Sequence, residues 1–137
     1  MKNNIRFTDD LTKITVEMLT GFFVGWPTPP SKETHFTILQ QSSHIVLALD
    51  GNQVVGFINA ISDNVLSAYI PLLEVLPKYK NKGIGSELVK RMKDKLKDFY
   101  MIDLTCDKDV QSFYKKLGFS ESTGMYLRNY DRQGGEI

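Results

Sequence analysis

The chain has 137 residues, a length that suits one domain with a single core. Apolar residues make up 42% and charged residues 24%, and the formal charge of +1 gives no global field for nucleic acid, so any anion site must come from a local cluster. One cysteine, Cys106, and two histidines, His35 and His44, exclude an internal disulfide and leave too few ligands for a structural metal, and no apolar run approaches the roughly 20 residues of a membrane span.

Ile5–Phe7 predicts a short first strand. Thr15 is an N-cap signal, and Val16, Leu19, Phe22 and Phe23 follow at helical spacing until Gly21, Gly25 and the run Trp26-Pro27-Thr28-Pro29-Pro30 stop the helix. Ser31 predicts the cap of a second helix to about Gln41, with Phe36 and Leu39 inward. His44–Leu49 and Val54–Ser62 are rich in β-branched and apolar residues and flank the turn Asp50-Gly51-Asn52, which predicts a hairpin. Leu66–Leu76 predicts the third strand of an antiparallel meander. Pro71 lies inside that strand and cannot donate to a ladder, so it marks an edge or a bulge. A bulge there would splay the strand from its neighbour and free backbone groups for a ligand.

After Pro77 a glycine turn opens an amphipathic helix with Ile84, Leu88, Met92, Leu96 and Phe99 on one face and a solvated set of lysines elsewhere. Met101–Thr105 predicts the next strand, parallel to the third by its strand–helix–strand order. Val110, Phe113, Tyr114 and Leu117 form one face of a last helix that Gly118 ends. Met125–Asn129 predicts a closing strand, and Arg132–Ile137 a frayed tail. The expected architecture is α/β, with a mixed, mostly antiparallel sheet and helices on both faces, in one domain over residues 1–131. The N-terminus lacks the apolar core of a signal peptide, so the expected location is cytoplasmic, with no membrane partner.

The turn Lys80-Asn81-Lys82-Gly83-Ile84-Gly85-Ser86 leaves a strand and opens a helix. Such a junction exposes unpaired N–H groups along a helix dipole, and Lys78, Lys80 and Lys82 add positive charge. A phosphate or pyrophosphate suits it. A Rossmann fingerprint would need glycine at Leu88, and a Walker loop would need Lys before Ser86, so both nucleotide spacings fail. Alone, the turn is equally compatible with a glycine-rich helix start that holds no ligand.

Two motifs together are more specific. Leu73-Glu74-Val75-Leu76-Pro77 followed by Lys80–Gly85 resembles the strand end and the Arg/Gln-x-x-Gly-x-Gly/Ala turn of the GNAT (Gcn5-related) N-acetyltransferase superfamily, with Lys80 in place of Arg or Gln. Phe113-Tyr114-Lys115-Lys116-Leu117-Gly118-Phe119 resembles the family's second marker, and Asp107 stands where an Asn is frequent, seven positions before Tyr114. The resemblance implies acetyl-CoA as donor, without a metal. It implies that a splayed parallel strand pair forms the cofactor slot, that the pantetheine arm pairs with Leu73 and Val75, and that the pyrophosphate sits on the turn from Lys80 to Ser86. It also implies a small-molecule or peptide amine as acceptor, direct attack in a ternary complex, and frequent homodimers. A non-catalytic acyl-CoA-binding module of the same fold is the alternative.

Tyr114 matches the family's frequent general acid, although its place beside Val110 and Phe113 also suits a core residue. The oxyanion donor is expected on the splayed strand near Val75. No base is identified: counting back from the turn reaches Tyr69 where a Glu is frequent, Glu74 alternates away from the slot, and ordered water is an alternative. Cys106 reads as a small buried residue rather than an acyl carrier. Trp26 is a candidate wall of the acceptor pocket, whereas His35 and His44 read as surface or packing residues.

Overall fold

Five strands form a single sheet in sequence order, β1 to β5, in a computed structural model that describes residues 4–136. β1 (Ile5–Thr8), β2 (His44–Asp50), β3 (Gln53–Ser62) and β4 (Ser67–Val75) are antiparallel neighbours, and β5 (Met101–Asp103) runs parallel to β4. The helices are α1 (Lys32–Gln41), α2 (Ile84–Lys95) and α3 (Gln111–Lys116). The expected mixed sheet with helices on both faces is therefore present.

The unbroken apolar run of β2 follows from burial on both faces. Val46 and Ala48 pack with Leu88, Val89 and Met92 of α2 in one core layer, and partly buried residues of α3 join them. Ile45, Leu47 and Leu49 pack with Leu39 of α1 and with Leu19 and Phe23 in the other. α2 lies close on β3 because Gly56 has no side chain: a Cβ there would stand 3.1 Å from Leu88 Cδ1. Ser31 caps α1 as its position predicts, its hydroxyl accepting the Thr34 N–H at 3.0 Å.

The expected first helix is only a 3-10 turn, Val16–Leu19. Thr20 is extended, Gly21 turns left-handed at φ 99°, and Phe23 follows at φ 64°, so the backbone leaves the helical path while its aromatic rings still reach the core. α2 is also shorter than its apolar face suggests. Leu96 closes it by donating to the Met92 and Lys93 carbonyls.

A further expectation fails at the C-terminus. Met125–Asn129 is not a strand: among the described residues, no backbone hydrogen bond joins 120–128 to another part of the chain, and Met125 is 96% exposed. A strand needs a ladder partner, and this segment has none among the described residues. Contacts extend into the expected tail Arg132–Ile137 as far as Gly135, whose N–H donates to the Arg132 carbonyl at 3.0 Å. Tyr130–Arg132 form a 3-10 turn, Gln133 Oε1 accepts the Thr28 N–H at 2.9 Å, and Gly134 lies against Thr28 and Pro29. Met1–Asn3 and Ile137 lie outside the described residues.

Candidate functional site

β4 is paired along only one of its edges where the site begins. Its register with β3 runs Ile61↔Tyr69, then Asn59↔Leu72, so Ala60 opposes both Ile70 and Pro71. The extra residue is a β-bulge at the proline, as Pro71 predicts. On the other edge β5 pairs only from Ser67↔Met101 to Tyr69↔Asp103, and Ile70–Val75 have no partner there. The Leu76 N–H donates to the Val55 carbonyl at 2.8 Å. Antiparallel alternation then turns the main-chain groups of Leu72 and Glu74 toward β3, and those of Leu73 and Val75 toward the open edge.

That open edge leads into the glycine turn. Asn81 (φ 63°) and Gly83 (φ 82°) are both left-handed, a conformation that costs glycine little. Gly83 is the N-cap of α2, and Glu87 N–H closes the first helical bond to its carbonyl at 3.1 Å. The N–H groups of Ile84, Gly85 and Ser86 therefore have no helical acceptor, and they share the positive end of a 12-residue helix. Lys78, Lys80 and Lys82 are exposed around them. A Cβ on Gly83 would meet nothing within 4 Å, so the rim is open. A Cβ on Gly85 would stand 3.5 Å from Phe113 Cζ and 3.8 Å from Val75 Cγ2, which puts this residue where α2, α3 and β4 converge. The Tyr79 hydroxyl donates to Asp50 at 2.6 Å and ties the turn to the β2–β3 hairpin.

Tyr114 and Tyr69 line one cavity of about 520 Å³, together with Ile102–Cys106, Gln111 and Phe119–Tyr126. The ring of Tyr114 is held edge-on by Phe113 and Phe119, with centroids 5.0 and 5.7 Å away. Its hydroxyl makes no hydrogen bond among the described residues. Burial, with Cys106 as a smaller cause, pushes its pKa up to about 12, so the group stays protonated. The Tyr69 hydroxyl pairs with Thr105 Oγ1 at 2.9 Å. Thr105, Asp103 and Gln111 were missed in the sequence reading. The available signal for Asp103 and Thr105 was their position at the end of the strand parallel to β4, and for Gln111 its place one turn before Tyr114 at the start of α3. Cys106 is exposed rather than buried, which corrects the sequence expectation. Desolvation, Asp107 and Asp109 raise its pKa, opposite to what a nucleophilic thiolate needs.

Glu74 and Trp26 form a second group on the α1 face. The Glu74 carboxylate accepts N–H groups from Phe23 at 2.8 Å and Val24 at 3.2 Å. It fastens the loop after Gly21 to β4 and, as alternation implies, points away from the α2 face. Trp26 is 37% exposed and meets Phe23 edge-on at 4.9 Å. His35 is a packing residue. It is 1% exposed, surrounded by the rings of Phe22, Phe23 and Phe57, and burial brings its pKa down to about 4. Among the described residues, no cluster of three or more His, Cys, Asp or Glu side chains could hold a metal, and no helix is long and apolar enough to cross a membrane.

These features agree with what the chain resembles. The acetyltransferase (GNAT) family model matches residues 11–119. The uncharacterized N-acetyltransferase ycf52 of Pyropia yezoensis is 34% identical over 103 residues, covering 70% of this chain and 58% of that protein. The chain thus spans about three fifths of this relative's length. A crystal structure from Deinococcus radiodurans R1, named only provisionally as an acetyltransferase, is 47% identical with a TM-score of 0.95, covering 97% of this chain and 94% of the other. A GNAT-family acetyltransferase from Streptococcus pneumoniae TIGR4 is 31% identical with a TM-score of 0.73, covering 93% and 98%. A splayed β4–β5 pair, a glycine turn at a helix start and a match over most of the chain make this protein a member of the GNAT acetyltransferase family.

Proposed function

We propose that the chain transfers an acetyl group from acetyl-CoA to the amine of a small molecule or peptide, by direct attack in a ternary complex. One observation carries this reading: the free edge of β4 ends at the unpaired N–H groups of α2. An extended amide-bearing arm followed by a pyrophosphate meets complementary groups in that order. Leu73 and Val75 offer main-chain groups to the arm in the manner of an added strand. The backbone from Lys82 to Ser86 offers N–H groups to the pyrophosphate, flanked by Lys80 and Asn81. The open rim at Gly83 fits such a guest.

Acetyl-CoA supplies an acetyl group activated as a thioester, and its thiol leaves as the new amide forms. The Val75 N–H is the candidate donor to the carbonyl oxygen as negative charge builds there. Tyr114, protonated and with its hydroxyl free, donates a hydrogen bond to the departing sulfur. Trp26 walls the acceptor side. Glu74 is engaged by the Phe23 and Val24 N–H groups, which favours deprotonation of the amine through water near the Tyr69–Thr105 pair.

The engaged Glu74 also favours the alternative, a non-catalytic acyl-CoA-binding module. Thiol release from acetyl-CoA over a panel of small and peptide amines separates the two. Amine-dependent release supports transfer. Tight CoA binding with no release on any amine supports the module.

A further inference from the structure

The glycine turn has a shape that its own backbone does little to hold. Between Val75 and Ile84 the chain passes from β4 into α2, with Asn81 at φ 63° and Gly83 at φ 82°. The backbone bonds inside it are short-range: the Tyr79 N–H donates to the Leu76 carbonyl at 2.9 Å, and the Lys80 N–H to that of Pro77 at 3.3 Å. Asn81 and Lys82 make no hydrogen bond among the described residues. Lys78, Lys80 and Lys82 are exposed and without an ion pair among those residues, so their mutual repulsion favours an open turn. One side-chain hydrogen bond leaves residues 77–86 for another element among the described residues. The Tyr79 ring lies against the core on the α2 side, and its hydroxyl donates to Asp50 Oδ2 at 2.6 Å. Asp50 is itself fixed from two sides, paired with Gln53 across the hairpin and with Ile5 of β1. A carboxylate beside an anion site works against the anion by charge, so what Asp50 contributes there is a fixed acceptor.

We infer that Tyr79 is the positioning residue of the cofactor turn and that Asp50 acts through it. The inference rests on the reading of the backbone from Lys82 to Ser86 as a pyrophosphate cradle. Several N–H groups hold one anion only while they converge on it. A cradle that is formed in a fraction of the molecules binds more weakly by that fraction. Tyr79 lies four positions before Gly83, the N-cap of α2, so fixing its ring fixes where the chain enters the left-handed positions Asn81 and Gly83. The effect falls on donor affinity and not on the chemical step, because Tyr114 and the Val75 N–H stand apart from the Asp50–Tyr79 bond. Gln53 gives the contrast within the same hairpin end. Its Nε2 donates to the Met18 and Thr20 carbonyls at 3.4 and 3.3 Å, and makes no bond to the turn.

The test has a ligand-free arm and a CoA arm. Tyr79→Phe keeps the ring and removes the donor. In the ligand-free chain, backbone order parameters from NMR relaxation should fall below about 0.6 at residues 80–84 and stay near about 0.85 in β2 and β3. Titration calorimetry should show the Kd for CoA raised about tenfold, with kcat at saturating acetyl-CoA unchanged. Asp50→Asn keeps an acceptor oxygen and should bind CoA within about twofold of wild type. Asp50→Ala should match Tyr79→Phe, and the two changes together should weaken binding no more than either alone. Gln53→Ala alters the same hairpin end and should leave the Kd for CoA unchanged. Order parameters at 80–84 that stay at the wild-type level in Tyr79→Phe, or that fall evenly along the whole chain, would overturn the inference. So would an unchanged Kd for CoA in Tyr79→Phe, a loss confined to kcat, or an equal loss of CoA binding in Gln53→Ala. A wild-type chain that binds no CoA would sink the donor reading instead, and the order parameters would then decide the role of Tyr79 by themselves.

Discussion

Replacing Tyr114 by Phe removes one oxygen and leaves the ring against Phe113 and Phe119. A thiol titrates near about 8.5 and the Tyr114 hydroxyl near about 12, so full proton transfer to the leaving sulfur is uphill by about 5 kcal/mol. In the proposed transfer Tyr114 would therefore act chiefly by hydrogen bonding to developing charge, which contributes about 1.5–3 kcal/mol. That corresponds to a fall in kcat of roughly tenfold to 150-fold, with CoA affinity unchanged because the pyrophosphate cradle is untouched. Thermal stability should hold, since the hydroxyl makes no hydrogen bond within the described chain. The pH profile gives a second reading. The protonated hydroxyl is the competent form and its folded pKa is raised, so its contribution is complete at pH 10 and fades only as pH approaches about 12. Wild type and Tyr114→Phe should therefore keep a constant rate ratio from neutral pH to about 10. Thiol-release kinetics and CoA titration calorimetry measure both quantities. Unchanged kcat in Tyr114→Phe, or a ratio that collapses between pH 8 and 10, would refute the role.

Other perturbations address separate parts of the site. Gly85→Leu should raise the Kd for CoA at least tenfold in titration calorimetry, because a Cβ already lies 3.5 Å from Phe113 and a longer side chain enters the junction of α2, α3 and β4. Glu74→Ala should raise KM for the amine more than KM for acetyl-CoA, and should lower stability by about 1–3 kcal/mol in urea unfolding, because the Phe23 and Val24 N–H groups lose their acceptor. His35 is held neutral with a folded pKa of about 4, below its ordinary value near 6.5. The unfolded chain then binds the proton first, so stability falls as pH drops from about 6.5 toward 4, by about 3 kcal/mol at most. His35→Leu should remove that part of the pH dependence, measured as the difference between the urea midpoints of the two proteins.

The sequence made the central meander and the glycine turn legible because their signals are local. Alternating or continuous apolar runs in β2 and β3, Asp50-Gly51-Asn52 between them, and Pro71 in β4 each act through neighbouring residues, and the structure contains the hairpin and the bulge. Nothing local reveals that Phe22 and Phe23 reach the core from a left-handed loop rather than a helix, since both arrangements bury the same rings. His35 was left open between surface and packing although it lies one helical turn before the inward Leu39, because its ring neighbours Phe22 and Phe57 are brought in from other elements. The engagement of Glu74 was hidden for the same reason, its partners lying about fifty positions earlier in the chain. Met125–Asn129 shows the opposite failure. Its strand composition is evident, but among the described residues no strand edge pairs with it.

The bulge at Pro71 explains how one cavity gathers groups from both sides of the sheet. Tyr69 pairs with Ile61 and Leu72 with Asn59, so Tyr69 shares a face with Leu72 and Glu74 although the spacing from Tyr69 to Leu72 is odd. Strict alternation from Glu74 would have put Tyr69 on the opposite face. The inserted residue returns it to the α1 side, where Glu74 holds the loop bearing Trp26. Tyr114 packs with the core on the α2 side. A continuous sheet would keep Tyr69 and Tyr114 apart, and they line the same cavity only because β4 and β5 part after Tyr69 and Asp103. A donor lying along the α2 side and an amine arriving from the α1 side would meet at that gap. The split is thus the feature that the proposed direct transfer would use, and the extra residue beside Pro71 is what turns Tyr69 to the α1 side of it.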